Sequence, residues 1–270
     1  MKCRLLPGCP VCGGAYEFLV LSPDKRRIAV CYECSHVFVA DPISPEKLRN
    51  YFQGRPAFEG SYAGLTFEDI GNPSRWQSYL YCRMDDLCRG LGGPQELCPQ
   101  MRIAEVGCLE GRFLAELAAQ GHHVVGCDLN EDAVPLGRGH LGLDLRVGTV
   151  EECMPMWGCF DLVIALHVLQ HCLCPRTELA TWVRLLAPGG RLVVHVGLNR
   201  DDYESKWCMQ YFTERSIRKL MGFFFDKIVF RKHPRPNPDE KDKDIGAVVG
   251  YLGPAGAPPP GHDGLIGQQT

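Results

Sequence analysis

The sequence predicts an α/β fold: a doubly wound, mostly parallel seven-stranded sheet with an antiparallel terminal hairpin, plus a small N-terminal metal-binding ribbon. Three observations predict it. Between residues 101 and 198, apolar runs of strand length alternate with helical stretches. Near the C-terminus two further apolar runs follow one another with no helix between them. The first 45 residues contain two Cys-x-x-Cys pairs.

The ribbon comes first. "CPVCGG" at 9–14 and "CYECSH" at 31–36 leave 18 residues between Cys12 and Cys31, a spacing suited to a four-thiolate zinc site. Each pair lets a tight turn aim two sulfurs at one ion, and Cys9, Cys12, Cys31 and Cys34 together close a tetrahedron with no open position, so the ion would be structural. Gly13 suits the turn after the first pair because it tolerates positive φ; Ser35 stands at the matching place after the second. A redox dithiol or unconnected core cysteines are the alternatives. His36 is expected outside the ligand set.

The α/β elements then follow in order. "MRIAEVG" is a buried strand, "GRFLAELAAQG" an amphipathic helix closed by Gly121, and "HHVVGCDL" a second strand ending at Asp128. "EDAVPLGRGH" reads as a Pro-interrupted helix, "LDLRVG" as a third strand, "CFDLVIAL" as a fourth, "RTELATWVRLLAPGG" as a long helix and "RLVVHVG" as a fifth strand. "TERSIRKLM" is a helix, and "FFFDKIVF" and "AVVGYLG" form an antiparallel pair at the sheet edge, joined by a polar loop with Pro234, Pro236 and Pro238.

Composition bounds the function. At 270 residues, 45% hydrophobic and 23% charged, the chain can bury one sizeable core and a small extra module. A formal net charge of −3 supplies no overall attraction to a polyanion, which makes nucleic acid an unfavoured partner. "MKCRLLPGCP" lacks the apolar core of a signal peptide, and no run approaches the roughly 18 apolar residues of a membrane span. A cytoplasmic protein with no membrane contact is expected. Most cysteines outside the two pairs, as in "VVGCDL" and "WGCFDLV", sit singly in apolar stretches, as buried thiols in a reducing compartment do. The division expected is a ribbon over 1–45, a linking segment over 46–95, the α/β domain over 96–252, and a Gly- and Pro-rich tail over 253–270 too poor in large apolar groups to order itself.

Ligands of such sheets collect at the carboxyl ends of the strands, where strand order reverses. "EVGCLEGRFL" at 105–114 lies there. It lacks the G-x-G-x-x-G frame of a phosphate loop: Gly107 and Gly111 are present, but Leu109 and Glu110 intervene, and Glu105 would repel a pyrophosphate. A carboxylate there suits an ammonium group, and Asp128, 21 residues after Gly107, suits the two hydroxyls of a ribose.

A ligand with an ammonium, a ribose and no phosphate is S-adenosylmethionine, and here the sequence resembles the class I methyltransferases with an N-terminal zinc ribbon. The resemblance rests on "EVGCLEGRFL", "VVGCDLNEDAV", "FDLVIALHVLQH" and "LLAPGGRLVVHV" in that order and covers roughly residues 1–252. It implies that Glu105, Gly107, Cys108 and Gly111 line the methionine and ribose side, that Asp128 binds the ribose hydroxyls, and that Leu129 packs on adenine. Leu166, closing the fourth strand, belongs to the same cofactor set. The turn "VGTVEE" should approach the adenine; the family often has an acid at Thr149, so recognition there falls to backbone or Glu151. Leu109 replaces a usual glycine, and its side chain must point away from the cofactor. Segment 46–95 would fold over the cleft as a lid, with Tyr51, Tyr62 and Arg75 as candidates.

Methyl transfer needs mainly alignment and removal of water, with a base where the acceptor is a hydroxyl. His167, at the mouth of the fourth strand, is the first candidate and His171 the second; His171 also has a capping reading, and His195 reads as a core residue. Trp207, Tyr211 and Phe212 either wall the acceptor pocket or pack in the core. The absence of an Asn-Pro-Pro-Tyr or Asp-Pro-Pro-Tyr run disfavours methylation of nucleobase amines by that route. The favoured reading is methylation of a small-molecule hydroxyl, on a sugar or natural product. The alternatives are an RNA methyltransferase reading nucleic acid through the ribbon, hinted at only by "PDKRR" and "RSIRK", and a non-catalytic scaffold whose cofactor site Leu109 has closed.

Overall fold

The computed structural model describes residues 5–54, 87, 91, 97–153, 160–198, 203, 205, 207–234 and 244–253. Tyr62, Arg75, Pro236, Pro238 and the tail beyond 253 lie outside them.

The N-terminal strands are β1 (Tyr16–Leu21), β2 (Arg27–Cys31) and β3 (Val37–Val39), followed by helix α1 (Pro45–Gln53). Ser44 caps α1 by accepting the Lys47 N–H, and Pro45 occupies the first turn, where its missing N–H costs nothing. The α/β part runs β4 (Arg102–Val106), α2 (Arg112–Ala119), β5 (His123–Asp128), α3 (Ala133–Leu141), β6 (Asp144–Val147), α4 (Val150–Cys153), β7 (Phe160–Leu166), α5 (Pro175–Val183) and β8 (Leu186–Gly197). It closes with β9 (Gln210–Tyr211), α6 (Glu214–Met221), β10 (Lys227–Pro234) and β11 (Asp244–Tyr251).

The large sheet has the order β10-β11-β8-β7-β4-β5-β6. Pairings among β6, β5, β4, β7 and β8 are parallel; β11 is antiparallel to both β8 and β10. This is the expected doubly wound sheet, with its order reversing at β4. The hairpin is not simply appended: β11 is inserted beside β8, which leaves β10 as the edge. Inward alternation explains that order, since Val248 packs on one face of the sheet and Val249 on the other, as a strand covered on both sides requires.

Three local expectations change. "LLAPGG" does not extend the fifth-strand helix: α5 stops at Val183 and β8 already begins at Leu186, because Pro188 and the two glycines after it cannot continue a helix. Pro135 does not break α3; it sits in the first turn, where no intrahelical donor is needed. Pro234 ends β10 instead of lying in the loop.

A second sheet has the order β1-β2-β3-β9, so the ribbon's fourth strand comes from beyond β8. The cores merge as well. Cys9, Val11, Ala29 and Phe38 of the ribbon share one apolar cluster with Phe212, Ile217, Leu220 and the α5 side of the large sheet. Burying a side chain such as Phe212 contributes about 2–3 kcal/mol.

Candidate functional site

At the reversal point, β4 lies between β5 and β7, and Glu105 is paired across to Gly126 and Ile164 with its side chain fully buried. The turn after it is built from left-handed backbone: Gly107 at φ 76°, Leu109 at 50° and Gly111 at 74°. A β-carbon on Gly107 would strike the Val168 side chain, and one on Gly111 would come within 2.7 Å of Leu145. Leucine at 50° costs on the order of 1–2 kcal/mol, so something must hold it there. Asp128 does: its Oδ2 accepts the Leu109 N–H at 2.9 Å, and its Oδ1 accepts the Asn130 N–H at 2.9 Å. The Cys127 carbonyl accepts the N–H groups of Gly107 and Cys108 at 2.8 and 3.1 Å. The two turns at the ends of β4 and β5 are thus one hydrogen-bonded unit.

Its electrostatics are negative. Burial raises the Cys108 thiol well above its usual range, and the carboxylates of Asp128, Glu105 and Glu110 raise it further. Such a turn repels phosphate and suits a cationic ligand carrying hydroxyls.

Helix α1 runs across the strand ends. Arg49 pairs with Glu152 of α4 at 3.0 Å, and Gln53 donates to Glu131 beyond β5 at 2.9 Å. Tyr51 stacks on Trp207, centroids 3.6 Å apart and 14° from parallel, and Phe52 meets the edge of His171 at 5.2 Å. The exposed pairs each contribute at most about 1 kcal/mol and the stack about 0.5–1.5 kcal/mol, so α1 is held by several modest contacts to different loops.

On the β7 side, His167 sits at φ 61° with its N–H bonded to the His195 carbonyl at 3.0 Å; the two imidazole centroids are 6.2 Å apart. His195 is fully buried, as its apolar strand context suggests. His171 donates from Nδ1 to the Trp207 carbonyl at 3.0 Å, which puts the proton of the neutral ring on Nδ1 and leaves Nε2 as the basic nitrogen. Trp207 is half-buried against α1, whereas Tyr211 and Phe212 are core residues at the ribbon junction.

The four ribbon cysteines bring their sulfurs within 4.8 Å of one another. Sulfur separations of 3.6 Å (Cys9–Cys34), 3.5 Å (Cys12–Cys31) and 3.5 Å (Cys12–Cys34) approach the edge of about 3.8 Å that a tetrahedron of roughly 2.3 Å zinc–sulfur bonds requires. Ser35 takes the left-handed conformation, φ 57°, matching Gly13 at 81°. The thiols share charge poorly: Cys9 falls to about 6 because Cys34 hydrogen-bonds to its thiolate, the same bond and burial push Cys34 up, and burial pushes Cys12 up to about 11. A full set of thiolates needs a cation among them.

Residues 104–194 match the methyltransferase domain family. The seven-stranded fold also superposes on the magnesium protoporphyrin IX methyltransferase of Synechocystis with bound SAM, with a TM-score of 0.52, at 18% identity, over 76% of this chain and 95% of that one. The sheet thus has the class I methyltransferase fold, and residues 104–194 are similar to a methyltransferase domain. Ubiquinone biosynthesis O-methyltransferases are similar in sequence: that of Aromatoleum aromaticum is 33% identical over 97 residues, covering 34% of this chain and 42% of that protein. That of Roseobacter denitrificans is 32% identical over 133 residues, covering 44% and 53%. The chain spans about half the length of these curated relatives.

Within the matched region, Glu105, Gly107, Cys108, Gly111, Asp128 and Leu129 converge on the joined turns, with Leu166 at the end of the adjacent β7. Thr149 and Glu151 have different partners. Thr149 donates its N–H to Glu152 at 2.7 Å, while Glu151 faces Thr181 of α5 at 3.4 Å. Sequence reasoning missed Asn130, whose Oδ1 caps the start of α3 by accepting the Ala133 N–H at 2.7 Å, and Gly137, where a β-carbon would strike the Glu110 carbonyl. The Asn three residues before Ala133 was a readable capping signal; the close approach at Gly137 had none in sequence. No helix of the described residues is long and apolar enough to cross a membrane.

Proposed function

We propose that the protein is an S-adenosylmethionine-dependent methyltransferase acting on a hydroxyl of a small molecule. The observation that carries this is the joined turn pair, in which buried Glu105 and half-buried Asp128 flank left-handed backbone at the sheet's reversal point. Glu105 would face the cofactor's ammonium, Asp128 would accept the ribose hydroxyls, and Gly107, Cys108, Gly111, Leu129, Thr149 and Leu166 would line the rest. When bound, the cofactor supplies an activated methyl group on a sulfonium. The protein's part is alignment, exclusion of water by α1, and acceptance of the acceptor's proton at His167 or at Nε2 of His171. The names of the sequence relatives favour oxygen as the methylated atom. A sugar or natural-product hydroxyl remains the acceptor class of this proposal. The four cysteines would hold a structural zinc ion.

The proposed organisation is a ribbon over 1–45, a lid segment over 46–95 that begins with α1, and a methyltransferase domain over 96–252 that lends β9 to the ribbon sheet. Two basic residues behind the RNA reading are engaged locally: Arg26 of "PDKRR" turns inward to Asp24 at 2.8 Å and to the Ser205 carbonyl at 3.1 Å, and Arg218 of "RSIRK" pairs with Glu214 at 2.8 Å.

Calorimetric titration with S-adenosylmethionine and S-adenosylhomocysteine tests the cofactor proposal. Micromolar binding weakened at least about tenfold, roughly 1.4 kcal/mol, by Asp128→Ala is expected. Absence of binding by the folded wild-type protein would favour the scaffold reading.

A further inference from the structure

We propose that Gln210 is a positioning residue through which the four-cysteine centre sets the loop that carries His167 and His171, so that metal in the ribbon orders the acceptor side of the cleft. The proposal rests on the methyltransferase reading for its purpose, but its geometry is independent of that reading.

The path is short and buried. The second knuckle closes with the Ser35 N–H on the Cys31 carbonyl at 3.0 Å and the Cys31 N–H on the His36 carbonyl at 2.9 Å, which fixes His36 directly to the cysteine turn. The His36 ring is fully buried, lies 4.8 Å from Phe212, and is bonded through Nδ1 to Ser216 Oγ at 3.3 Å. Its Nε2 donates to Oε1 of Gln210 at 2.8 Å, and Gln210 in turn donates from Nε2 to the carbonyls of Cys172 at 2.9 Å and Leu173 at 3.3 Å. Those carbonyls end the turn that begins at His167. Two backbone bonds run alongside: Val39 N–H to the Met209 carbonyl at 3.0 Å and Met209 N–H to the Gln170 carbonyl at 2.8 Å.

Docking the ribbon did not require this polar path, since the apolar cluster shared with α6 already joins the two parts. A buried amide is costly unless every one of its bonds is made. Here the carboxamide oxygen has its donor and the amide nitrogen has two acceptors, so the orientation of Gln210 is decided jointly by His36 and by the loop. A knuckle that loses its central cation loses the geometry that aims His36. Gln210 then has no partner for its oxygen, and the carbonyls of Cys172 and Leu173 lose the donor that holds them. Tyr51 and Trp207 are drawn into the same response, because Trp207 lies three residues before Gln210 and its carbonyl fixes His171.

The test is backbone hydrogen exchange by mass spectrometry on the full chain: zinc-loaded wild type, wild type after chelation, and zinc-loaded Gln210→Glu. Gln210→Glu keeps an oxygen facing His36 and sets an oxygen against two carbonyls. Gln210→Met, which fills the volume without any of the bonds, is the second variant should the first not fold. Metal content and S-adenosylhomocysteine affinity are measured on each. The expected result is exchange about tenfold or more faster at 168–174 and 207–212 after chelation and in the zinc-loaded variant, with 102–106 and 123–128 unchanged. Unchanged exchange at 168–174 in a zinc-loaded variant, a uniform increase over the whole chain, or a wild type that takes up no metal would each overturn the proposal. A loop that responds in a protein that binds no S-adenosylhomocysteine would instead remove the methyltransferase reading and leave the relay standing.

Discussion

Asp128 holds Leu109: the carboxylate at the end of β5 accepts the backbone N–H of the leucine in the neighbouring turn at 2.9 Å, and this bond keeps a non-glycine residue at positive φ. The ribose-binding candidate is therefore also the clamp of the turn beside it, and substitutions at the pair should separate the two roles.

Asp128→Asn keeps one oxygen but turns an amide donor towards a backbone N–H. The expected loss is about 1–3 kcal/mol of folding stability from the donor left without an acceptor, together with at least about a tenfold loss of S-adenosylhomocysteine affinity. Chemical denaturation and calorimetry on the same preparation read the two separately. Full cofactor affinity in a destabilised variant would assign Asp128 to the clamp alone.

Leu109→Gly relieves the left-handed strain while making the unfolded chain more flexible, so its stability change should be small, within about 1 kcal/mol. Its cofactor affinity should equal or exceed that of wild type if the leucine side chain points away from the ligand. Leu109→Ile places a β-branched residue at φ 50° and should destabilise by roughly 1–3 kcal/mol. A lowered affinity in Leu109→Gly would show that the leucine itself contacts the cofactor.

The legibility of these features follows their range in sequence. The alternation of strands and helices, the glycine turn after β4 and the cysteine cluster were readable because each rests on a local pattern: short apolar runs, glycines at a strand end, paired cysteines. Gln210 was not readable. Nothing in "WCMQYFT" marks a glutamine that saturates its amide between His36, 174 residues away, and the carbonyl of Cys172. Tyr211 and Phe212 carry no local signal that decides between wall and core for the same reason, since β9 pairs with β3 across most of the chain. The α5 boundary was missed because "LLAP" carries helix-compatible leucines, and only the pairing of Phe160 with Leu186 shows that a strand has already begun.

Metal removal should act through protonation as well as geometry. In the metal-free ribbon the Cys12 thiol stands at about 11, raised by burial, and Cys34 is raised by its bond to Cys9 and by burial, so both are protonated at neutral pH. Binding must expel those protons, and affinity should therefore fall as pH is lowered and rise as it increases towards those values. Elemental analysis should find one zinc per chain, and Cys31→Ser should lower that content. Competition with a chromophoric chelator at pH 6, 7 and 8 reads the trend; a flat profile would mean that the thiolates are preformed.

Gly107 and Val168 make a final test of how the cofactor turn is seated. A β-carbon at Gly107 would strike the Val168 side chain, and φ 76° is strained for any L-residue, so Gly107→Ala suffers two separable penalties. The steric part belongs to the pair and the backbone part to Gly107 alone. Gly107→Ala is expected to cost about 2–4 kcal/mol, and Val168→Ala to cost about 1–2 kcal/mol by itself through lost packing. The double variant should be more stable than the sum of the singles by about 1 kcal/mol or more, because truncating Val168 removes the clash and leaves only the strain. Strict additivity in a thermodynamic cycle would place the whole cost in the backbone, and would free Val168 from any part in shaping the turn between β4 and the loop that bears His167.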